Sequence, residues 1–335
     1  MLVEVTRGNL VESVHHVAVC AANAQGDVVL RTGEVESPVF LRSSAKPFIA
    51  AAVVEAGVRE AFDLDMREIA VICASHVGEP FHIEAVRSIL QKIGLDESAL
   101  QCGVHLPYRE SEAHALLRRG EQPTAIYNNC SGKHAGILAL CKVLGADVTT
   151  YMEENNPAQQ RILAFCARLS DDDPACWPIG TDGCGIPVYA TSLRKASMAF
   201  ARFADLSHVA PRDAMALLVV RDAMVSHPVY VSGTNEFDTR LMIAAGGAIA
   251  CKSGAEGVHG LALIPRGLGL VSKILDGTPR ARGPVTMAGL RALGGPAADA
   301  TDLGAFAAPV VYNRAGRAVG EIRVIPDFAV EQAST

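Results

Sequence analysis

The sequence predicts an α+β fold, with an antiparallel sheet drawn from both termini and a helical lobe inserted between its strands. Two observations predict it: hairpin patterns at each end of the 335-residue chain, and a long middle with helical periodicity. A third sets the domain count. The nearest thing to a linker is the Pro/Gly/Ala-rich stretch 294–300, too close to the end to divide domains. Residues 1–335 are therefore expected to form a single domain with two intercalated lobes. In chain order, residues 15–21 alternate apolar positions and meet Asn23-Ala24-Gln25-Gly26-Asp27 before Val28-Val29-Leu30, a hairpin. Pro47 is tolerated only in a first helical turn, so a helix starts there and runs over 47–60. Helical spacing recurs over 82–94, 110–119, 133–144, 157–169, 193–203 and 211–226. The apolar run 68–74 reads as strand or helix, and periodicity does not choose. Residues 260–265 and 267–272 read as strands about a Pro-Arg-Gly turn, and 309–312 with 318–324 as the closing hairpin.

Thirty basic and 36 acidic residues give a formal charge of −6, with no Lys/Arg run to meet a phosphate backbone, so nucleic acid is not an expected partner. Residues 1–9 carry Glu4 and Arg7 and lack the apolar core of a signal peptide. The apolar run 48–54 stops at Glu55, far short of the ~20 residues a membrane helix requires. A soluble, cytoplasmic protein is expected. Nine scattered cysteines form no CxxC pair, and most read as small buried hydrophobes.

Five polar segments stand out. In Arg42-Ser43-Ser44-Ala45-Lys46-Pro47, Ser43 and Lys46 share a face of the first helical turn. A desolvated lysine at that positive end has a lowered pKa and can take the serine proton, the Ser–Lys form of an activated nucleophile. The spacing alone is weak, since Ser192-Leu193-Arg194-Lys195 repeats it and reads as a solvated helix face. Cys73-Ala74-Ser75-His76-Val77-Gly78-Glu79-Pro80-Phe81-His82 gathers a serine, two histidines and an acid where an apolar run ends. It fits a functional loop, and equally a capping loop in which Ser75 or Glu79 starts the next helix. Tyr127-Asn128-Asn129-Cys130-Ser131-Gly132-Lys133-His134-Ala135-Gly136 enters a helix; a phosphate loop is disfavoured because its first glycine is missing and His follows Lys. Gly180-Thr181-Asp182-Gly183-Cys184-Gly185-Ile186-Pro187 is a tight loop presenting an acid and a thiol, and Cys251-Lys252-Ser253-Gly254-Ala255-Glu256-Gly257 is a lysine-bearing loop. Cys130 and Cys184 with a third ligand would make a soft metal site suited to zinc. Their distant spacing favours unmetallated thiols.

Taken in order, S-S-A-K-P, C-A-S-H-x-G-E-P-x-H, N-N-C-S-G-K-H-A-G, G-x-D-G-C-G-x-P and C-K-x-G-x-E-G resemble the asparaginase II family, the class 3 or rhizobial-type L-asparaginases, over residues 10–328. The resemblance implies a fold similar to the serine β-lactamases and penicillin-binding proteins, with Ser43–Lys46 as S-x-x-K and Lys252-Ser253-Gly254 as K-[ST]-G. It implies one catalytic domain with two Ser–Lys tandems, Ser43 with Lys46 and Ser75 with Lys252. It also implies a Zn2+ held by Cys130, Lys133 and Cys184. His134 and Asp182 match residues beside that site, and Arg42 and Gly254 complete the implied substrate-binding set. The implied reaction is hydrolysis of L-asparagine to L-aspartate and ammonia, in a homodimer. A lysine ligates zinc only when deprotonated, so Lys133 is expected to have a strongly lowered pKa, as nearby Zn2+ would produce. The rival from another class is a β-lactam-binding protein of the same fold, which would need an extended peptide cleft and usually an exported context. A non-catalytic zinc protein leaves Ser43–Lys46 unexplained.

Overall fold

Both ends of the chain enter one antiparallel sheet, as the two terminal hairpins predict. In the computed structural model, which describes residues 1–330, the strand Leu2–Arg7 lies between Leu10–Asn23 and Ala318–Ile325. Leu2 faces His16 on one side and Ile325 on the other. The sheet runs Val310–Tyr312, Ala318–Ile325, Leu2–Arg7, Leu10–Asn23, Leu268–Ile274, Val258–Leu263, Ile249–Ser253. Val28–Thr32 pairs with the far half of Leu10–Asn23, and Ala329–Val330 pairs with Val28–Thr32. The expected strands about the Pro-Arg-Gly turn are Val258–Leu263 and Leu268–Ile274, joined by the 3-10 turn Ile264–Arg266.

This sheet belongs to the first of two compact units, Met1–Ser44, Ala190–His208 and the chain from Arg240 onward. Its central strands are apolar without alternation because helices cover them, as the buried run from Val17 to Ala22 shows. The helix Leu193–Ala204 packs on Leu268–Ile274, Leu10–Asn23 and Val258–Leu263. It sits so close that a Cβ at Gly269 would meet Ser197 O at 1.9 Å and one at Gly260 the Phe200 ring at 2.1 Å. Ser192 caps this helix by accepting from Lys195 N at 3.1 Å, so the second S-x-x-K is a local cap rather than a reactive pair.

The second unit, Ala45–Tyr189 and Val209–Thr239, is mainly helical. Lys46–Glu55 is buried from Lys46 to Val54 and packs against Ser131–Leu144, Pro157–Ser170 and Pro211–Ser226. The helix expected over 47–60 breaks at Gly57, whose φ of +87° separates it from the short Val58–Ala61. The undecided run 68–74 is the helix Met66–Ile72, started by a capping box between Asp65 and Glu68. It carried no period because residues 68–72 are all buried. Gly132 and Gly136 let Ser131–Leu144 press on it: a Cβ at Gly132 would lie 2.1 Å from Val71 O. The chain leaving Ile72 is thereby brought beside the turn that enters Ser131–Leu144. Residues 180–187, expected as a loop, are a hairpin in which Ile179–Thr181 pairs with residues 187–189. Among the described residues no helix is long and apolar enough to cross a membrane.

Candidate active site and metal centre

In the second unit the Ser75 segment is pinned through its backbone. Ser75 N donates to Val231 O (3.1 Å), His76 N to Asn129 O (3.1 Å), and Arg109 N to Val77 O (2.8 Å). Lys46, 1% exposed, points its Nζ at Ala74 O (2.5 Å), Ser75 Oγ (3.0 Å) and Cys130 Sγ (3.1 Å). Three polar atoms thus surround this Nζ. Helical spacing paired Lys46 with Ser43, three residues away. The structure adds that the same lysine reaches the serine of the second motif.

Around Cys130 the charges are tightly arranged. Asn128 Oδ1 accepts from Cys130 N at 2.9 Å, fixing the turn, and Lys133 Nζ donates to Cys184 Sγ at 2.8 Å. A hydrogen bond from Cys184 pulls Cys130 well below the usual thiol range, helped by the charges of Lys46 and Lys133 against the cost of burial. The same bond, with burial, pushes Cys184 up, so the thiol pair shares one proton with Cys130 as the thiolate. Burial opposes the charge on Lys133, but Cys130, Cys184 and Asp182 outweigh it and raise the ammonium to about 12. A bound cation would have to displace that proton. Asp182 is held by the hairpin turn: its backbone N donates to Ile186 O at 2.9 Å and its Oδ1 accepts from Gly183 N at 2.8 Å. Gly185, at φ +91°, makes the turn that sets the Cys184 thiol 3.8 Å from Asp182 Oδ2. Two thiols and an amine converging in one buried place are a donor set that fits Zn2+.

Two buried histidines complete this constellation. His76 Nδ1 accepts from Gly78 N (3.2 Å), so its Nε2 carries the proton toward Ser131 Oγ (2.8 Å), which in turn donates to Ile126 O (2.8 Å). His134 Nδ1 lies 2.8 Å from Tyr151 Oη. Burial, foremost, holds both imidazoles well below their usual range. Sequence reasoning missed Tyr151, Cys102 and His105. Asn128 Nδ2 donates to Cys102 O at 2.8 Å, and His105 Nε2 accepts from Asn129 N at 3.0 Å, so this strand of chain braces the Cys130 turn. None of the three lies in a motif; the one available signal was Cys102 beside Gly103, a thiol in a turn.

The first unit holds Arg42, Ser43, Lys252 and Gly254. Arg42 adopts φ +52°, a left-handed conformation that is strained for a non-glycine residue. It opens the 3-10 turn Arg42–Ala45, in which half-buried Ser43 precedes Ser44. Ser44 spends both its N–H (3.1 Å) and its hydroxyl (2.6 Å) on Leu41 O. Lys252 is wholly buried near the end of the strand Ile249–Ser253, opposite Gly260, and donates to Ser253 O at 2.8 Å. The lysine-bearing loop expected over 251–257 therefore begins as strand; it was hidden because its partner, Val258–Leu263, follows so closely. A Cβ at Gly254 would lie 2.8 Å from Leu41 O and 3.2 Å from Ser44 N. Only glycine lets the Lys252-Ser253-Gly254 segment rest on the Ser43 turn. Sequence-distant motifs one and five thus become neighbours.

A family model described as L-asparaginase II matches residues 3–324, nearly the whole chain. No curated protein matches it. Similar solved structures include Mglu, crystallised in its native form in 4.3 M NaCl (15% identity, 82% of this chain and 60% of that one, TM-score 0.36). Others are a simvastatin synthase (LovD) mutant from Aspergillus terreus (11% identity, 77% and 84%, TM-score 0.41) and a beta-lactamase candidate from Bacteroides dorei (14% identity, 77% and 84%, TM-score 0.39). The chain spans 60–66% of the length of the Mglu chains it matches. Its own sheet and helix order, rather than these distant matches, carries its α+β fold.

Proposed function

Because the chain belongs to the L-asparaginase II family, we propose that it hydrolyses L-asparagine to L-aspartate and ammonia through a serine ester. The observation that supports this most is Lys46, buried and hydrogen-bonded to Ser75 Oγ. Amide hydrolysis requires a nucleophile, a base to take its proton, and positive charge where the carbonyl oxygen becomes an oxyanion. Ser43 attacks the side-chain carbonyl, and Lys46, three residues on, accepts its proton. Since Lys46 also touches Ser75, that proton has a hydroxyl through which to travel. Lys252 with Ser75 forms the second tandem and delivers a proton to the departing ammonia. Water then cleaves the aspartyl ester, the same groups working in reverse.

Asp182 pairs with the substrate's α-ammonium, while Arg42, His134 and Gly254 line the remainder of the substrate. Cys130, Lys133 and Cys184 would hold Zn2+. Bound there, it would supply an electrophilic centre largely quenched by two thiolates, which suits orienting the substrate better than polarising its amide. Residues 1–335 as one catalytic domain, and a cytoplasmic homodimer, belong to the same reading.

The test is incubation with L-asparagine, L-glutamine and a chromogenic β-lactam, scoring ammonia and ring opening. Ammonia from asparagine without ring opening is expected, and Ser43→Ala should abolish it in a folded protein. Ring opening without ammonia would overturn the proposal in favour of a β-lactam-directed hydrolase. Near-normal turnover by Ser43→Ala would move the nucleophile to Ser75.

A further inference from the structure

Tyr151 is wholly buried, and its hydroxyl oxygen accepts from Gln101 N at 2.8 Å. Burial also pushes its pKa up, so the phenol keeps its proton. That proton has His134 Nδ1 in reach at 2.8 Å, with the rings edge to face at 5.5 Å. A ring nitrogen that accepts a hydrogen bond is unprotonated, so His134 must carry its one proton on Nε2. That Nε2 is buried and has no hydrogen-bond partner among the described residues. The fold therefore prepares an N–H donor and provides no acceptor for it. Leaving such a donor unpaired is unfavourable, and a ligand oxygen would complete its hydrogen bond.

We propose that Tyr151 is a positioning residue that fixes His134 as its Nε2–H tautomer, and that this N–H binds a carboxylate oxygen of the amino-acid substrate. The identity of that ligand rests on the asparaginase reading; the tautomer does not. Tyr151 need not touch the substrate. It acts by deciding which nitrogen of His134 is the donor.

A double-mutant cycle with a spectroscopic readout tests this on the full-length protein. The 15N spectrum of imidazole-labelled wild type should show His134 protonated at Nε2, and Tyr151→Phe should lose that state. In kinetics, Tyr151→Phe should raise KM for asparagine about tenfold, with kcat changed less than about threefold, the scale of one lost hydrogen bond. Gln at position 134 places an NH2 where Nε2 stands and has no tautomer to be set. In a His134→Gln background, Tyr151→Phe should therefore alter KM less than about twofold. An Nδ1-protonated His134 in wild type would overturn the proposal, as would an equal rise in KM in both backgrounds. Absence of asparagine turnover would count against the functional reading alone. The tautomer would then be read from the same spectrum, and the site from titration with L-aspartate, where a shift at His134 supports the carboxylate and its absence overturns it.

Discussion

His76 and His134 are both wholly buried, both held neutral, and each directly follows a motif residue, Ser75 and Lys133 respectively, yet their hydrogen bonding differs by one atom. His76 uses everything it has: its backbone N–H, Nδ1 and Nε2 are all engaged, tying the Ser75 segment to Asn129 and Ser131. His134 engages Nδ1 and leaves Nε2 bare. A satisfied buried imidazole is a structural rivet, whereas an unsatisfied donor is a cost that a fold carries where something else completes the bond. His82 is a third case. Its Nε2–H is spent on Val229 O at 2.9 Å, so the atom left over is an acceptor, Nδ1.

The contrast between reactive and structural groups should break most completely at Lys46. Lys46→Arg retains the charge beside Ser75 but not the basicity, so turnover should fall by at least about 10³-fold, with Lys46→Met as inactive. Turnover by the arginine variant within tenfold of wild type would mean that charge alone matters there. The next largest effect is on stability. His76→Ala removes a rivet with two ring contacts and should cost about 2–4 kcal/mol in urea unfolding, while His134→Ala should cost about 1 kcal/mol and act mainly on activity. Equal losses would erase the distinction.

Acid sharpens the comparison from another side. Burial, foremost, holds His82 down at about 4, and holds His76 and His134 well below the usual imidazole range. These groups are depressed in the folded state relative to ~6.5 when unfolded, so the unfolded chain takes up protons first. Their stabilisation is complete above about pH 6.5 and is lost as pH falls toward 4, by as much as about 3 kcal/mol for His82. Tm should drop across that window, and His82→Gln should drop less. Parallel curves for the two proteins would refute the assignment. The smallest effect is expected at the metal ligands. Protein purified without added metal should hold about one zinc per chain, and Cys130→Ser or Cys184→Ser should raise KM about tenfold while slowing kcat less. A collapse of kcat would instead put the ion on the scissile carbonyl. Less than a tenth of a zinc per chain, with both variants fully active, would remove it from the account.

What was legible in the sequence was what neighbours along the chain decide. The helix Pro211–Ser226 is readable to its last residue because a proline starts it and periodicity carries it. The hairpin joining Leu10–Asn23 to Val28–Thr32 is readable from its Asn23-Ala24-Gln25-Gly26-Asp27 turn. The motif residues were legible as chemical types in suggestive company: serine with lysine, thiol with acid. The strand Leu2–Arg7 was not read: it pairs with Leu10–Asn23 across the Gly8-Asn9 turn, but its other partner, Ala318–Ile325, lies more than three hundred residues away. Nor was the break at Gly57 visible, since an isolated glycine after a helical run is compatible with either outcome until its φ is set.

The sequence by itself determined the α+β class, the terminal hairpins and the membership of the five motifs, because those depend on spacing of a few residues. Tertiary structure alone decided that Lys46 meets Ser75 and Cys130, that Lys133 meets Cys184, and that Tyr151 meets His134. The physical reason is close packing. Gly132 and Gly136 seat one helix against the backbone and side chains of another, and Gly254 seats a strand end on the Ser43 turn. Hydrogen bonds of about 3 Å follow from such contacts, and no spacing along the chain encodes them.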